Sequence, residues 1–397
     1  MTELSKRAQA SRIERIARVR ERMEVLGVDV LLLSLGADLP WLTGYLAMPL
    51  ERLTMLVLPV RGDPVLVVPA LEAARVAIAE DVFAVHPWSD TEDPVAIVAS
   101  IVAARTERNG EVNRLRVAIS DRTWAASVLA LQSEIPRAEW ITGSTVTSSI
   151  RAIKDAFELE ALRAASGAAD RVAAMLQRGD IRLIGRREAD VSNDISTLLV
   201  AEGHERVNFA IVGSGPNAAS PHHEPGLRII GPNETVVCDF GGTLSLDGEV
   251  GYCSDITRTV VTGAPSDDIL DCYEVLLESQ QTAVASARAG VSAEAVDAVA
   301  RSIIDDAGYG DLFIHRTGHG IGIEEHEDPY LVAGNDELLR PGNAFSVEPG
   351  IYASGRFGMR LEDIVIITED GNPESLNTVD HALVVVEAQG RGHGSGH

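Results

Sequence analysis

Five residues with metal-binding side chains follow one another through the second half of the chain. They are Asp239 in VVCDFGG, Asp255 in GYCSDITRT, His319 in RTGHGIGIEEHEDP, Glu348 in FSVEPGIY and Glu362 in MRLEDIVI. Four carboxylates around one imidazole repel each other unless cations lie between them, because buried like charges raise each other's pKa. The set therefore predicts two divalent cations. Oxygen-rich sites with one nitrogen favour ions such as Mn²⁺, and no cysteine is placed to form a thiolate site.

A hairpin must position the two aspartates. Residues of the same parity share one face of a strand, so Asp239 and Asp255 meet only if the chain folds back between them. The intervening GGTLSLDGEVG contains the turn-forming pair Asp247-Gly248. The sequence therefore predicts paired strands with the two aspartates side by side.

These stretches together resemble the pita-bread metallopeptidases, the superfamily of methionine aminopeptidase, aminopeptidase P and prolidase. The similarity runs from about Ile153 to Val386, and all five ligand positions of the family are matched. The region before it is more weakly similar to the creatinase-type N-terminal domain of the longer members. The resemblance implies a peptidase that uses a hydroxide bridging two metal ions as its nucleophile.

The resemblance also assigns a role to each ligand. It implies that Asp239 chelates one ion and that Asp255 and Glu362 bridge both ions. His319 and Glu348 would complete the other site, and Glu348 would also shuttle the proton. Two divalent ions are expected, Mn²⁺ first, with Co²⁺, Zn²⁺ and Fe²⁺ as alternatives.

Histidines near the ligands form the next part of the expected site. His326 is similar to the family histidine that steadies the scissile carbonyl and its developing oxyanion. His222, in IVGSGPNAASPHHEPG, is similar to the histidine that contacts substrate near the scissile bond, whereas the neighbouring His223 is more typical of an ordinary structural histidine. His315 is expected to line the pocket. Arg360 matches an arginine that orients ligands near the metal site.

Substrate choice is less explicit. The family members with an N-terminal domain cut before proline, prolidases in dipeptides and aminopeptidase P in longer peptides. A dipeptidase must bind the free carboxylate of proline, and several prolidases have an arginine after HExP, where this chain has Tyr330. Arg356, in SGRFGMRLED, is the expected replacement cation, with Tyr330 beside the substrate. The chain length favours the dipeptidase; aminopeptidase P is the alternative, and a creatinase-like enzyme or binding module is disfavoured by the intact ligand set.

Composition excludes several kinds of partner. The net charge of −25 argues against nucleic acid and anionic membranes, which would repel the chain. Three cysteines form no disulfide framework, and the N-terminus has no apolar signal region, so a cytoplasmic protein is expected. No apolar run of membrane-spanning length occurs. The resemblance implies a homodimer, in which Trp41 and Tyr45 reach a neighbour's site or belong to the monomer core.

Two domains and a tail are expected. An amphipathic helix from Ser5 to Leu26 opens an α/β domain over residues 1–150, where strands alternate with helices. Residues 151–388 resemble the α+β pita-bread domain, in which helices cover a curved antiparallel sheet. Residues 389–397, rich in glycine and histidine, are predicted to be disordered.

Overall fold

The computed structural model describes residues 2–76, 82–106 and 115–386. The chain divides into two compact units, Met1–Arg151 with Leu246–Val250, and Ala152–Ser245 with Gly251–His397. The predicted disordered tail, 389–397, lies outside the described residues. Within the described part of the chain, no helix combines the length and the hydropathy that crossing a membrane requires.

The first unit is the expected α/β domain. Its helices are α1 (Glu3–Leu26), α2 (Asp38–Thr43), α3 (Pro94–Thr106), α4 (Ala125–Glu134) and α5 (Ser144–Arg151), and its strands are β1 (Val30–Leu33), β2 (Met55–Pro59), β3 (Val65–Pro69), β4 (Ala84–Trp88), β5 (Arg116–Ile119) and β6 (Glu139–Thr142). The strands form one sheet in the order β4-β3-β2-β1-β5-β6. Both parallel and antiparallel neighbours occur.

Local signals explain the first helix. Thr2 accepts a hydrogen bond from the Ser5 amide at 3.1 Å, and Gly27 ends the helix with a φ of 66°. The predicted opening helix is thus confirmed. The sequence also predicts a helix over EAARVAIAE, but only a single 3₁₀ turn forms at Ala73–Arg75, and residues 77–81 lie outside the described ranges.

The second unit carries four α-helices and twelve strands among the described residues. They are α6 (Ala156–Gln177), α7 (Glu188–Ala201), α8 (Asp267–Ser286), α9 (Ala293–Asp306), β7 (Arg206–Ser214), β8 (Thr235–Leu244), β9 (Tyr252–Cys253), β10 (Ile256–Val261), β11 (Gly318–Gly320), β12 (Glu327–Leu331), β13 (Ala344–Val347), β14 (Gly350–Ala353), β15 (Phe357–Arg360), β16 (Asp363–Ile367), β17 (Pro373–Ser375) and β18 (Val384–Val385). Sequence reasoning did not resolve the short strands β11, β12, β15, β17 and β18.

Two mainly antiparallel sheets form the frame of this unit. One has the order β18-β10-β8-β7 with β9 beside β8, and the other has the order β12-β11-β13-β16-β17. Helices α6 and α7 share a hydrophobic core with the first sheet, and α8 and α9 share one with the second. A bridge between Thr257 and Glu362 links β10 to the segment before β16. This α+β arrangement agrees with the expected pita-bread domain.

A helix boundary separates α5 from α6, although the sequence predicts one long helical pattern there. The Asp155 side chain accepts from the Glu158 amide, and the Glu158 side chain accepts from the Asp155 amide, both at 3.0 Å. This reciprocal pair is a capping box, which satisfies amides that a helix start leaves free. The chain therefore starts a new helix at Ala156.

The predicted hairpin is confirmed. Strand β8 pairs with β10 so that Asp239 lies opposite Thr257, two residues beyond Asp255. At the turn, Asp247 and Gly248 have φ values of 55° and 77°, and the Glu249 amide donates to the Leu246 carbonyl at 3.0 Å. Two successive positive φ angles are what a tight hairpin turn needs, and Asp-Gly supplies them at low cost.

Candidate active site

A cavity of about 780 Å³ in the second unit is lined by all five expected metal ligands. His222, His315, His326 and Arg360 line the same cavity. Apolar side chains such as Phe209 and Ile211 of β7 complete its wall. The structure therefore brings the residues of the predicted metal site and its histidines together, although they are spread over more than 120 positions of the sequence.

The ligand cluster is buried and tight. Asp255, His319 and Glu362 are 4%, 3% and 1% exposed. Each offers one donor atom, and these three atoms all lie within 4.8 Å of one another. The His319 Nε2 atom lies 3.4 Å from Glu348 Oε1 and 3.8 Å from Asp255 Oδ2. Four of the five expected ligands thus converge on a small volume.

Three oxygens of this cluster have no hydrogen-bond partner among the described residues. Asp239 Oδ1, Asp255 Oδ1 and Glu362 Oε1 are buried and accept no hydrogen bond. A buried carboxylate oxygen without a partner is unfavourable, and such groups in native proteins usually bind water or an ion. Because all three lie in one cluster of hard donors, the residues fit divalent cations.

Charge crowding appears in the pKa values. Burial first, and then the neighbouring carboxylates, raise the pKa of Asp255 and Glu362 well above their usual range. Burial raises the pKa of Glu348 to about 7. Burial also lowers the pKa of His319 to about 3, which keeps its imidazole neutral, as a metal ligand must be.

The tautomer of His319 suits ligation. Its Nδ1 lies 3.1 Å from the Gly320 carbonyl, which can only accept, so Nδ1 carries the proton. The Nε2 lone pair is therefore left facing the carboxylates. Glycines on both sides let the strand approach this closely: a Cβ on Gly318 would lie 1.9 Å from the Ser346 carbonyl, and one on Gly320 would lie 2.2 Å from the Asp328 carbonyl.

Two carboxylate ligands lie where strands are interrupted. Strand β13 ends at Val347 and β14 begins at Gly350, because Pro349 cannot donate to a ladder, and Glu348 occupies the break. Asp255 lies in the gap between β9 and β10. Beside it, Ser254 accepts from the Gly242 amide at 3.1 Å, which holds this gap against β8. At each break, the carboxylate residue lies outside the regular hydrogen bonding between strands.

Arg360 organises one side of the cluster. Its guanidinium is buried and donates to Asp239 Oδ2 at 2.5 Å and to Thr257 Oγ1 at 3.0 Å. Thr257 Oγ1 in turn donates to Glu362 Oε2 at 2.6 Å. One arginine therefore orients two of the expected ligands, directly for Asp239 and through Thr257 for Glu362, which supports the orienting role expected for it.

A directed hydrogen-bond chain continues from Arg360. Arg360 Nη1 donates to the Tyr352 hydroxyl at 2.9 Å, and that hydroxyl lies 2.8 Å from His315 Nε2. His315 Nδ1 lies 2.7 Å from the Arg316 carbonyl, so Nδ1 carries the proton and Nε2 accepts from Tyr352. Burial lowers the pKa of His315 to about 4, consistent with a neutral ring. His315 lines the cavity as expected, but both of its nitrogens are already engaged.

His326 has a defined proton position. Arg316 Nη2 lies 3.3 Å from His326 Nδ1, and a guanidinium can only donate, so Nδ1 accepts and the proton is on Nε2. Burial, and then the Arg316 charge, lower the pKa of His326. The ring lies 3.9 Å from that of His319, centroid to centroid. A neutral imidazole with Nε2–H next to the ligands is suited to donate to a carbonyl oxygen.

His222 and His223 have different surroundings. His222 is exposed and lines the cavity. His223 pairs at 2.8 Å with the buried carboxylate of Glu188, which also accepts from the Ser214 amide and the Asn217 side chain. His223 therefore makes a structural contact that holds the loop carrying His222, as expected for an ordinary structural histidine.

Two expected substrate contacts do not reach the cavity lining. Arg356 is 64% exposed in its side chain and pairs with the exposed Asp268 at 3.3 Å. Tyr330 is also absent from the lining and packs under the Arg316 guanidinium, 4.4 Å from its ring centroid. The structure thus places Arg356 in a surface pair and Tyr330 against Arg316, and a direct contact of either residue with substrate stays a prediction.

Two charged lining residues were missed by sequence reasoning, Arg316 and Glu325. Among the described residues, Arg316 has no carboxylate partner within ion-pair distance; its contacts are His326 and Tyr330. A signal existed, since both lie within HRTGHGIGIEEHEDP between or beside histidines that the sequence does single out.

Known proteins share this architecture. Residues 159–369 match metallopeptidase family M24, and residues 15–153 match the creatinase/prolidase N-terminal domain. The probable dipeptidase PepE of Mycobacterium tuberculosis is 43% identical over 363 residues, covering 91% of this chain and 92% of that protein. The Xaa-Pro dipeptidase of Lactobacillus delbrueckii subsp. lactis is 37% identical over 352 residues, covering 87% of this chain and 92% of that protein.

A solved structure agrees with the sequence relatives. The dipeptidase PepE of Mycobacterium ulcerans matches with a TM-score of 0.87 at 40% identity, covering 96% of this chain and 99% of that chain. Fold, ligand cluster and relatives lead to one assignment. The chain belongs to metallopeptidase family M24 and carries a creatinase/prolidase N-terminal domain.

Proposed function

We propose that this protein hydrolyses the bond before proline in dipeptides, using two divalent metal ions, Mn²⁺ in preference to Co²⁺ or Zn²⁺. The observation that carries the proposal is the buried cluster of four carboxylates and one imidazole, in which three oxygens find no partner within the described part of the chain. The ligands are Asp239, Asp255, His319, Glu348 and Glu362. Their hard, oxygen-rich donor set favours Mn²⁺.

When bound, the two metal ions would polarise the scissile carbonyl and lower the pKa of a coordinated water. The chain's own residues supply the remaining steps. Glu348 is the proton carrier, because its side chain is 15% exposed, against 3% for His319 and 5% for Asp255. His326 donates from Nε2–H to the carbonyl oxygen as negative charge develops there. His222 contacts the substrate from the opposite loop.

A free proline carboxylate needs a cation, and Arg316 supplies it. The guanidinium lies at the cavity without a carboxylate partner in the described part of the chain, and it is braced by the Tyr330 ring. Arginine suits this task because its planar fork matches a carboxylate. The name of the Lactobacillus relative, an Xaa-Pro dipeptidase, supports the same substrate class.

The remaining partners follow from charge and composition. A small peptide is the proposed partner, and the net charge of −25 disfavours nucleic acid and anionic membranes. The three cysteines are buried free thiols, which suits a reducing cytoplasm. We also propose that the protein forms a homodimer, which light scattering on a sizing column would test.

The test compares Ala-Pro with Ala-Pro-Ala on Mn²⁺-loaded protein, following release of the N-terminal alanine. The proposal expects a higher kcat/KM for the dipeptide. Preferential cleavage of the tripeptide would instead identify an aminopeptidase P activity, and no cleavage of either peptide would refute the proposed reaction.

A variant pair tests the carboxylate contact. Arg316→Gln should raise KM for Ala-Pro roughly 10- to 100-fold, as expected for loss of a hydrogen bond to a charged group, and should leave KM for Ala-Pro amide unchanged. Arg356→Gln makes the same chemical change at the surface pair with Asp268 and should leave KM unchanged. Equal effects of Arg316→Gln on the acid and the amide would contradict the role.

A further inference from the structure

The cavity carries two charges that the ligand cluster does not use. Seven charged residues line it: Asp239, Asp255, Arg316, Glu325, Glu348, Arg360 and Glu362. Four of these are the proposed metal ligands, and Arg360 is paired with Asp239. Two divalent cations would balance the four ligand carboxylates. Arg316 and Glu325 are therefore the charges left to face a substrate.

Glu325 lies close to the reacting centre. It is half-buried, and its side chain makes no hydrogen bond or ion pair with any described residue. It precedes His326 directly, and its backbone lies near enough to the His319 ring to influence it. A carboxylate in this position, half-withdrawn from water and without a partner, is stabilised by any cation that enters the cavity.

Opposite charges at one cavity match the chemistry of a dipeptide. A free dipeptide carries an ammonium group at one end and a carboxylate at the other, and complementary charges in a site give specificity and orientation. Arg316 complements the carboxylate in the function proposed above. The remaining charge, Glu325, complements a cation.

We propose that Glu325 is a specificity residue that binds a positively charged group of the substrate, while Arg316 binds the substrate carboxylate. The inference rests on the proposed dipeptidase function and deepens it. The cation has two sources, the α-ammonium group that every free dipeptide carries, or the side chain of a lysine or arginine before the scissile bond. These sources share one chemistry and separate by experiment.

The experiment measures kcat and KM of the Mn²⁺-loaded wild type and Glu325→Gln for Leu-Pro, Lys-Pro, Leu-Ala and Lys-Ala. Glutamine keeps the shape of the side chain and removes only its charge. Glu324→Gln is the matched control, because it makes the same change one residue away, outside the cavity lining. Bound metal is quantified for each variant, so that a loss of ions is not mistaken for a loss of substrate binding.

Each outcome decides the matter. If Glu325 binds the α-ammonium group, Glu325→Gln raises KM about tenfold for every peptide that wild type cleaves. If it binds the side chain, KM rises about tenfold only for the lysyl peptides, and Glu325→Lys shifts preference from Lys-Pro toward Glu-Pro. A Glu325→Gln enzyme that matches Glu324→Gln on every peptide overturns the proposal.

Failure of the underlying function is distinguishable from failure of this inference. Wild type that cleaves Leu-Ala but not Leu-Pro refutes the proline specificity, while the comparison of variants on Leu-Ala and Lys-Ala still decides the role of Glu325. Wild type that cleaves none of the four peptides refutes both.

Discussion

Charge crowding in the ligand cluster makes the stability of the metal-free protein depend on pH. Burial raises the pKa of Glu348 from an ordinary 4.5 to about 7. The folded protein therefore holds this proton more tightly than the unfolded chain does. The stabilisation that this proton contributes is fully present below about pH 4.5 and is lost as pH rises through about 7. Asp255 and Glu362 are shifted in the same direction and add to the loss.

The size of the effect follows from the shift. A rise in pKa from 4.5 to about 7, at roughly 1.4 kcal/mol for each pH unit, corresponds to about 3.5 kcal/mol. For a domain of 150–250 residues, 1 kcal/mol changes Tm by roughly 2–4 °C, so Glu348 alone accounts for roughly 7–14 °C between pH 4.5 and 8. His319 and His315, with lowered pKa values, act in the opposite sense, because their stabilisation is lost as pH falls.

The assay compares wild type with Glu348→Gln in EDTA, by scanning calorimetry at pH 5 and pH 8. Both proteins keep the histidines and surface groups, so the difference between their two pH dependences isolates Glu348. We expect the Tm of the variant to increase relative to that of wild type as pH rises. Glu369→Gln, at an exposed carboxylate, is the control and should follow wild type. Identical pH dependences for wild type and Glu348→Gln would refute the account of Glu348 as a buried carboxylate with a raised pKa.

Three further predictions concern the site. Asp255→Asn and Glu362→Gln should each abolish Ala-Pro hydrolysis and reduce bound Mn²⁺ measured by plasma mass spectrometry, since each removes a proposed bridging ligand; retained turnover in either would contradict a two-ion site. His326→Ala should lower kcat about 10²–10³-fold, the scale of a lost oxyanion donor, with bound metal unchanged, and a normal kcat would exclude the role. Tyr352→Phe removes the hydroxyl that links Arg360 to His315 by hydrogen bonds. It should weaken Mn²⁺ binding or activity 10- to 100-fold, measured by metal titration and turnover. An unchanged Kd and kcat would mean that these hydrogen bonds do not orient Asp239.

Local patterns explain how much of the catalytic unit is predictable. The hairpin between Asp239 and Asp255 depends on alternation along a strand and on the Asp247-Gly248 turn, both of which are local properties. Cys238 follows the same alternation and faces the core shared with α6 and α7, away from the site occupied by Asp239. Such features depend on a few neighbouring residues, so they can be predicted without knowing the tertiary structure.

Tertiary contacts explain what the sequence does not reveal. Arg356 and Arg316 are chemically alike, and only the fold pairs one with Asp268 at the surface and leaves the other at the cavity. Tyr352 gave no sequence signal because its role depends on Arg360 and His315, which approach it from β15 and from the segment before β11. Glu325 likewise is one of 59 acidic residues until its place in the cavity is known.

The most direct test of the central claim is anomalous diffraction from crystals soaked in Mn²⁺. The account predicts two anomalous peaks inside the cluster, beside Asp239 Oδ1, Asp255 Oδ1 and Glu362 Oε1, which accept no hydrogen bond from any residue that the structure describes. Asp255→Asn crystals should lose at least one of them. Peaks elsewhere, or no peak within the cluster at saturating Mn²⁺, would contradict a metal-dependent peptidase built on these five residues.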